Sequence, residues 1–416
     1  MIYTDPLAAT YSIIAVDPAA RLMGVAVQSH AFSVGSLVPW ARAGVGVVAT
    51  QSVVNVDFGP LGLDLLDAGY SPAETVDRLL AADEHAAVRQ VAVLTPDGVS
   101  ATHTGQRCIA VAGHVRGAGF SVQANMMDRP GVPSAMAQAW QEHPGEFADR
   151  LVAALQAAEA AGGDIRGMQS AALLIVSTEP SNSVVEGRPM DLRVEDHPAP
   201  LEELVRLIRL HTAYHHSDAA DELAAGGDHE AARRAYAAAQ QLAPDRDELR
   251  FWHAVSSAPW ESQQSRKAPR ESRNTLEELG PIPGGRWWRL AVRLPPTGLI
   301  ALDSEEWNRL LAPDPELVYH IVLDSDRDPL RPPSLQTEGF VHCSFAHQLP
   351  DVVARHYPDL TDPIVMAVDT TRLSSELVIE DSFGSGERFP HIYGAIDPTA
   401  VKTTAPVSEL LPGLLL

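Results

Sequence analysis

Lysine is almost missing from this chain. Only Lys267 and Lys402 occur among 416 residues, and 54 acidic groups against 31 basic ones leave a net charge of −23. Nucleic acids and anionic membrane surfaces are bound through clustered Lys and Arg, so this balance argues against both as partners. Cysteine is as scarce: Cys108 and Cys343 lie far apart, in different predicted domains. That pattern argues against a structural disulfide and excludes a zinc site built from cysteine. No apolar run reaches the ~18 residues that span a bilayer. The N-terminus has no basic region, and Asp5-Pro6 interrupts the apolar segment a signal peptide needs. A cytoplasmic location is the default expectation, and the length suits two or three domains with real cores.

The stretch from Thr10 to Asn55 is the most informative. It holds three apolar β-type runs, Tyr11–Val16, Met23–Val27 and Val45–Ala49, with turn signals at Asp17-Pro18 and Gly44-Val45-Gly46. Small polar groups follow the last two runs: Gln28-Ser29-His30, then Thr50-Gln51-Ser52. Uncharged hydroxyls and amides at strand ends suit a pocket for a polar, neutral substrate; they suit ordinary strand-end hydrogen bonding as well.

The segments TYSIIAVDP from Thr10, GVAVQS from Gly24 and VGSLVPWARAGVGVVATQS from Val34 together resemble the domain-of-unknown-function family 1028. The resemblance continues through Phe58–Gly62, Val122–Asn125 and Gly162–Leu173, and covers residues 9–200. It implies an αββα sandwich of the N-terminal-nucleophile (Ntn) hydrolase type. Strand and helix patterns agree with that layering. Residues 59–81 read as helical, with Ser71-Pro72 starting a second helix. Strands are expected at Val88–Leu94, Val99–His103, Cys108–Ala112, Gly117–Val122, Ala171–Val176 and Val184–Val194, and helices at Pro133–Trp140 and Phe147–Ala161.

Ntn enzymes use the first residue's side chain as nucleophile and its α-amine, with a pKa near ~8, as base. The resemblance places Thr10 at that position, with residues 1–9 either removed or a disordered extension. Ser12 is a second hydroxyl on the same strand face. Gln51, Asn55, Gln123 and Asn125 match the family's motifs and are neutral donors for an oxyanion or substrate; amides bonded to backbone at sheet ends are the plainer reading. Asp164, Arg166, Gln169 and Ser170 cluster in a Gly-bounded loop, where Asp164 and Arg166 either orient the nucleophile or clamp a substrate carboxylate, or else fix the loop as an ion pair. No lysine lies within the first 260 residues to assist a proteasome-type mechanism, and Arg21 or Arg42 supplies charge only.

Pro200–His211 reads as an amphipathic helix, and Ala213–Pro244 as a single tetratricopeptide-like repeat, with Ala220, Gly227, Ala232, Tyr236, Ala239 and Pro244 at the pattern positions. A single repeat cannot bury its own face, so a neighbouring domain or a second subunit should cover it. His211, His215, His216 and His229 include a helical i, i+4 pair with zinc-compatible spacing, but no Glu-His motif accompanies them, and no metal is expected. Ala258–Arg273 is polar and reads as a mobile loop; Asp303–Pro315 reads as a linker.

From Leu317 the strand Val318–Val322 and the segments RPPSL from Arg331, EGFVHCS from Glu338 and RFPHIYG from Arg388 resemble the domain-of-unknown-function family 952. That resemblance implies a small ADP-ribosyltransferase-like α+β fold over 316–416. Its ligand pocket would draw on His320, Arg331, Ser334, His342, Ser344, His391 and Tyr393. Histidines converging from distant strands bind phosphate or act as acid and base near pH 7.

The expected fold is therefore α+β: an Ntn-like sandwich over 1–200, a helical appendage over 201–302, the linker, and the C-terminal domain. The functional expectation is a hydrolase of a small amide or acylated amino compound, needing no cofactor, fused to a small-ligand-binding domain that takes NAD or a phosphorylated ligand. A homodimer through the sandwich and helical regions is expected. A non-catalytic metabolite-binding scaffold is the alternative of a different class, and a C-terminal transferase acting on NAD or a phosphorylated ligand is another.

Overall fold

Strands buried on both faces carry apolar residues at nearly every position, and the strands that open this chain do so because each lies between two layers. The computed structural model describes residues 5–8, 10–264, 270–279, 286–291, 293–294, 317–323, 326, 328–381 and 387–410. The chain forms two compact units, Met1–Thr212 and Ala213–Leu416.

The first unit holds two antiparallel sheets. One runs β1 (Leu7–Ala8), β5 (Gly46–Val53), β6 (Arg89–Leu94), β7 (Ser100–Thr104), with β4 (Pro39–Arg42) also paired to β5. The other runs β11 (Met190–Val194), β10 (Ser170–Ser177), β3 (Leu22–Ser29), β2 (Thr10–Asp17), β9 (Phe120–Ala124), β8 (Gly113–Gly117). The two-residue period of a strand sorts β2. Tyr11, Ile13 and Ala15 pack under helices α3 (Val132–Glu142), α4 (Phe147–Ala160) and the first turns of α6 (Pro200–Ala225). Ile14 and Val16 turn the other way, onto Val47, Ala49, Ala92 and Leu94 of the facing sheet. The far side of that sheet, through Val48, Val91 and Val93, carries α1 (Phe58–Asp67) and α2 (Pro72–Ala81). The order is helix, sheet, sheet, helix. Burying one Ile or Val on either face stabilises the fold by about 1.5–3 kcal/mol.

Local chemistry sets the boundaries. Ser71 and Glu74 form a reciprocal capping box, with Pro72 in the first turn, and start α2 where the sequence indicates. Three strand expectations are corrected. Residues 106–112 are irregular, with Val111 at φ 56°, because their backbone bonds go to Ala87, Gly105, Met126 and Met127 instead of a ladder. Gly117–Val122 straddles a hairpin, in which Gly119 at φ 73° turns β8 into β9. In Val184–Val194 only the end is strand; the one-turn helix α5 (Val184–Gly187) precedes it, capped by the Ser183 side chain. The segment before Thr10 is also ordered where described: Leu7 and Ala8 pair with Val53 and Ser52, and Asp5 is ion-paired to Arg89, so the reading of a disordered extension does not hold for residues 5–8.

In the second unit α6 continues unbroken past Thr212, and Gly226-Gly227 turns it into α7 (His229–Leu242) around Ala220, Ala232 and Tyr236. The expected mobile loop is corrected where it is described. Ala258–Gln264 extends α8 (Asp247–Gln264), and α9 (Arg270–Glu278) begins within the expected loop. Phe251, Ala254, Val255 and Ala258 share a core with Leu276, Ala291 and Leu294, and α8 continues from that packed segment into the expected loop. A further short helix, α10 (Arg286–Ala291), supplies Ala291. The expected linker, 303–315, lies outside the described residues. The C-terminal region folds as a pair of three-stranded antiparallel sheets. One is β12 (Leu317–Val322), β14 (Ile364–Asp369), β17 (Val401–Pro406); the other is β13 (Val341–His342), β16 (Phe389–Tyr393), β15 (Glu376–Glu380). A Tyr319–Ser344 bridge joins them. Helices α11 (Pro333–Thr337) and α12 (Leu349–His356) flank them.

Candidate functional site

Period two, which packs the interior, also aims polar side chains into it. Ser12 shares the inward face of β2 with Ile14, Gln51 that of β5 with Ala49, and Gln90 that of β6 with Ala92. Gln123 and Asn125 reach in from β9 and the residue after it. All five are fully buried, so their polar groups require partners. Ser12 Oγ donates to Gln51 Oε1 (2.6 Å) and accepts from Gln123 Nε2 (3.3 Å). Gln51 Nε2 donates to Gln90 Oε1 (2.8 Å) and to the Thr10 carbonyl (3.2 Å). Asn125 Nδ2 also donates to Gln90 Oε1 (3.0 Å), and the Asn125 backbone N–H to the Thr10 carbonyl (3.0 Å). Gln90 Nε2 is spent on Thr104 Oγ1 and the carbonyls of Gly113 and Ala124.

The outcome is a sealed network of amides and one serine, in which none of the groups titrates near neutral pH. It fixes the Ser12 hydroxyl, which donates its proton to the Gln51 amide oxygen, and among the described residues it places no base beside it. Thr10 lies at its edge, fully buried, and its Oγ1 donates to the Ala8 carbonyl (2.6 Å). Gln123 Oε1 and Asn125 Oδ1 are buried without a partner among the described residues. Backbone strain gathers nearby: Ser52 and Met126 adopt φ of 77° and 61° directly after Gln51 and Asn125. Non-glycine residues hold that conformation only where the surroundings impose it.

The other expected residues lie apart from the network. Asn55 donates to Asp83 (3.0 Å), which pairs with Arg89 (2.8 Å). Asp164 takes both ends of the Arg166 guanidinium (3.0 and 2.7 Å), and it accepts the Arg166 and His30 backbone N–H groups, so that fork is occupied within its own loop. Gln169 donates to Asp196 at the surface (3.1 Å). Ser170 donates to the Ala31 carbonyl (2.6 Å) and orders the turn after β3. Gln90, the hub, was not among the expected residues. Its signal was one glutamine at an inward position of the apolar run RQVAVL.

Within the C-terminal region a pair of adjoining cavities, of about 330 and 360 Å³, share His342, Ser344, Val352 and Tyr357. His320 and Ser334 line the first, and His391 lines the second. His320 Nδ1 lies 2.9 Å from the His342 carbonyl, an acceptor only, so the proton sits on Nδ1 and Nε2 carries a lone pair. Burial holds the pKa of His320 below its ordinary value and keeps it neutral. His342 faces Glu338 (3.0 Å), and His391 faces Glu380 (3.2 Å), which also accepts from Tyr393 (2.5 Å). Burial lowers His391 against the pull of Glu380. Arg331 is exposed and, like Tyr393, is absent from both linings. Among the described residues no group of three His, Cys, Asp or Glu is placed to hold a metal ion, and no helix is long and apolar enough to cross a membrane.

The chain thus combines two α+β domains with separate candidate sites. The model of a family of unknown function, DUF1028, matches residues 10–204, and that of a second protein family of unknown function, DUF952, matches residues 323–404. Protein SPO2555 from Silicibacter pomeroyi, a DUF1028 protein of solved structure, is 31% identical over 48% of this chain and 84% of its own, with a TM-score of 0.44. The resemblance to the DUF1028 family is thus confined to residues 10–204 of the chain. Protein CC0527 from Caulobacter crescentus is 26% identical over 22% of this chain and 84% of its own, with a TM-score of 0.19. No curated protein matches the chain.

Proposed function

We propose that the N-terminal unit is an Ntn-type hydrolase of a small amide or acylated amino compound, activated by loss of residues 1–9. The observation that carries this reading is the place of Thr10. Between Ala8 and Thr10 the chain passes from one sheet to the other: Ala8 pairs with Ser52, and Thr10 opens β2 with its hydroxyl buried beside the amide network. A neutral site lacks a base, and a freed α-amine on Thr10 supplies one. The Thr10 hydroxyl then attacks the acyl carbon and its proton passes to the amine. Collapse expels the substrate's amine carrying that proton, and water cleaves the ester to release the acid. Fixed amides such as Gln123 and Asn125 favour a neutral polar substrate. The described part of the displaced piece is held by a two-residue strand, a Val54 N–H bond to the Pro6 carbonyl, the buried Ala8 and the Asp5–Arg89 pair; on this reading its departure gives these up and opens the site. The C-terminal region, on this reading, binds a small ligand in its histidine-lined cleft.

Intact mass of the purified protein tests the proposal. The expected species starts at Thr10, hydrolyses members of an N-acyl amine library, and is abolished by Thr10→Ala, which stays full length. A full-length wild-type chain whose amide hydrolysis survives Thr10→Ala refutes the mechanism. A full-length chain without activity leaves the scaffold reading.

A further inference from the structure

We propose that the C-terminal cleft takes a planar, uncharged or cationic nitrogen ligand that donates an N–H to His320 Nε2, and that it selects against phosphates and carboxylates. This rests on the reading of that cleft as a ligand site and names the ligand's class. His320 is 6% exposed, lines the first cavity, and has its Nε2 buried without a partner among the described residues. A buried acceptor left unpaired is costly, and a ligand donor relieves it. Ser334 Oγ, in the lining of the same cavity, is also without a partner among the described residues and serves as donor or acceptor.

Charge points the same way. The described residues lining the two cavities include Asp326 and Glu338 and no Arg or Lys. Of the lining histidines, His320 is neutral and His342 and His391 each face a carboxylate, while His356 lines the second cavity and not the one that His320 lines. A phosphate would meet acidic groups and a lone pair. An amide or amidine donates to the lone pair, and a cation among them is further favoured by the Tyr319 and Tyr357 rings that help form the walls.

Calorimetric titration of the full chain with benzamidine, benzamide and benzoate separates charge and donor capacity at nearly constant shape, and ADP-ribose and inorganic phosphate complete the series. Benzamidine and benzamide should bind saturably, with benzoate, phosphate and ADP-ribose at least about tenfold weaker. His320→Asn can keep a donor to the His342 carbonyl while removing the Nε2 acceptor, and should weaken benzamide at least about tenfold with the melting profile unchanged. Ser334→Ala, at a second contact, provides the same readout if His320→Asn fails to fold. Benzoate or ADP-ribose binding as tightly as benzamidine overturns the ligand class and leaves the ligand-site reading standing. Saturable binding by none of the probes overturns both.

Discussion

Replacing Gln90 with Leu tests whether the buried amides act as one unit. The side chains are similar in volume, so no large cavity opens. Gln90 Oε1 accepts from Gln51 Nε2 and Asn125 Nδ2, and Gln90 Nε2 serves three acceptors. Without it Gln51 Nε2 keeps Thr10 O at 3.2 Å and Gln123 O at 3.5 Å, and Asn125 Nδ2 keeps Thr10 O at 3.5 Å. One N–H on each amide is left with at best a long contact. Each such donor costs about 1–3 kcal/mol, or about 2–6 for the pair. The carbonyls of Gly113 and Ala124 lose a donor as well, and the apolar side chain returns about 1–2 kcal/mol. The net loss is about 3 kcal/mol, more than a hundredfold in an opening equilibrium. A chain of two units need not unfold in one step, so the assay is local: hydrogen exchange by mass spectrometry on peptides covering β5, β6 and β9. Protection there should fall by about a hundredfold while α7 and α8 are unchanged. A change of less than about threefold (about 0.6 kcal/mol) would show that the amides are independent and refute the hub.

Two further perturbations probe the scaffold. Arg89→Met leaves Asp83, whose side chain is 6% exposed, without its cation, and should cost about 3–5 kcal/mol at neutral pH. Burial alone would raise the pKa of Asp83, but hydrogen bonds from Arg89, Asn55 and the His85 amide outweigh it and hold it below the ordinary value. The wild type therefore has that stabilisation above pH ~4 and loses it as pH falls through the depressed pKa, so the gap in melting temperature between wild type and variant should close in acid; a gap constant from pH 7 to 3 contradicts the pairing. Ser71→Ala removes half of the capping box on α2 and should cost about 1 kcal/mol, read as faster exchange in that helix's first turn; exchange equal to wild type would show the cap to be idle.

Much of the fold was legible because it depends on periodicity. Runs such as Tyr11–Val16 and Ala171–Val176 are apolar at almost every position, which fits strands covered on both faces, and Ser71-Pro72 marks a helix start whatever lies around it. The failures have local causes. Cys108–Ala112 is apolar enough for a strand, yet its backbone bonds go to neighbouring loops. Ala258–Gln264 is too polar to read as helix, yet it continues a helix whose preceding turns, Phe251 through Ala258, pack against residues some twenty to forty positions further on.

The candidate site divides the same way. Family motifs and strand-end positions singled out Thr10, Ser12, Gln51, Gln123 and Asn125 from the sequence, since residue type and spacing were enough. Which of the expected polar groups meet was decided only in three dimensions. Asn55, four residues from Gln51, lies past the end of β5, where no period holds its direction, and it turns to Asp83. Gln90 faces the amides because sheet register sets it opposite Gln51. Chain pattern tells which face of a strand a residue takes; only the pairing of strands and the packing of sheets determine what it finds there.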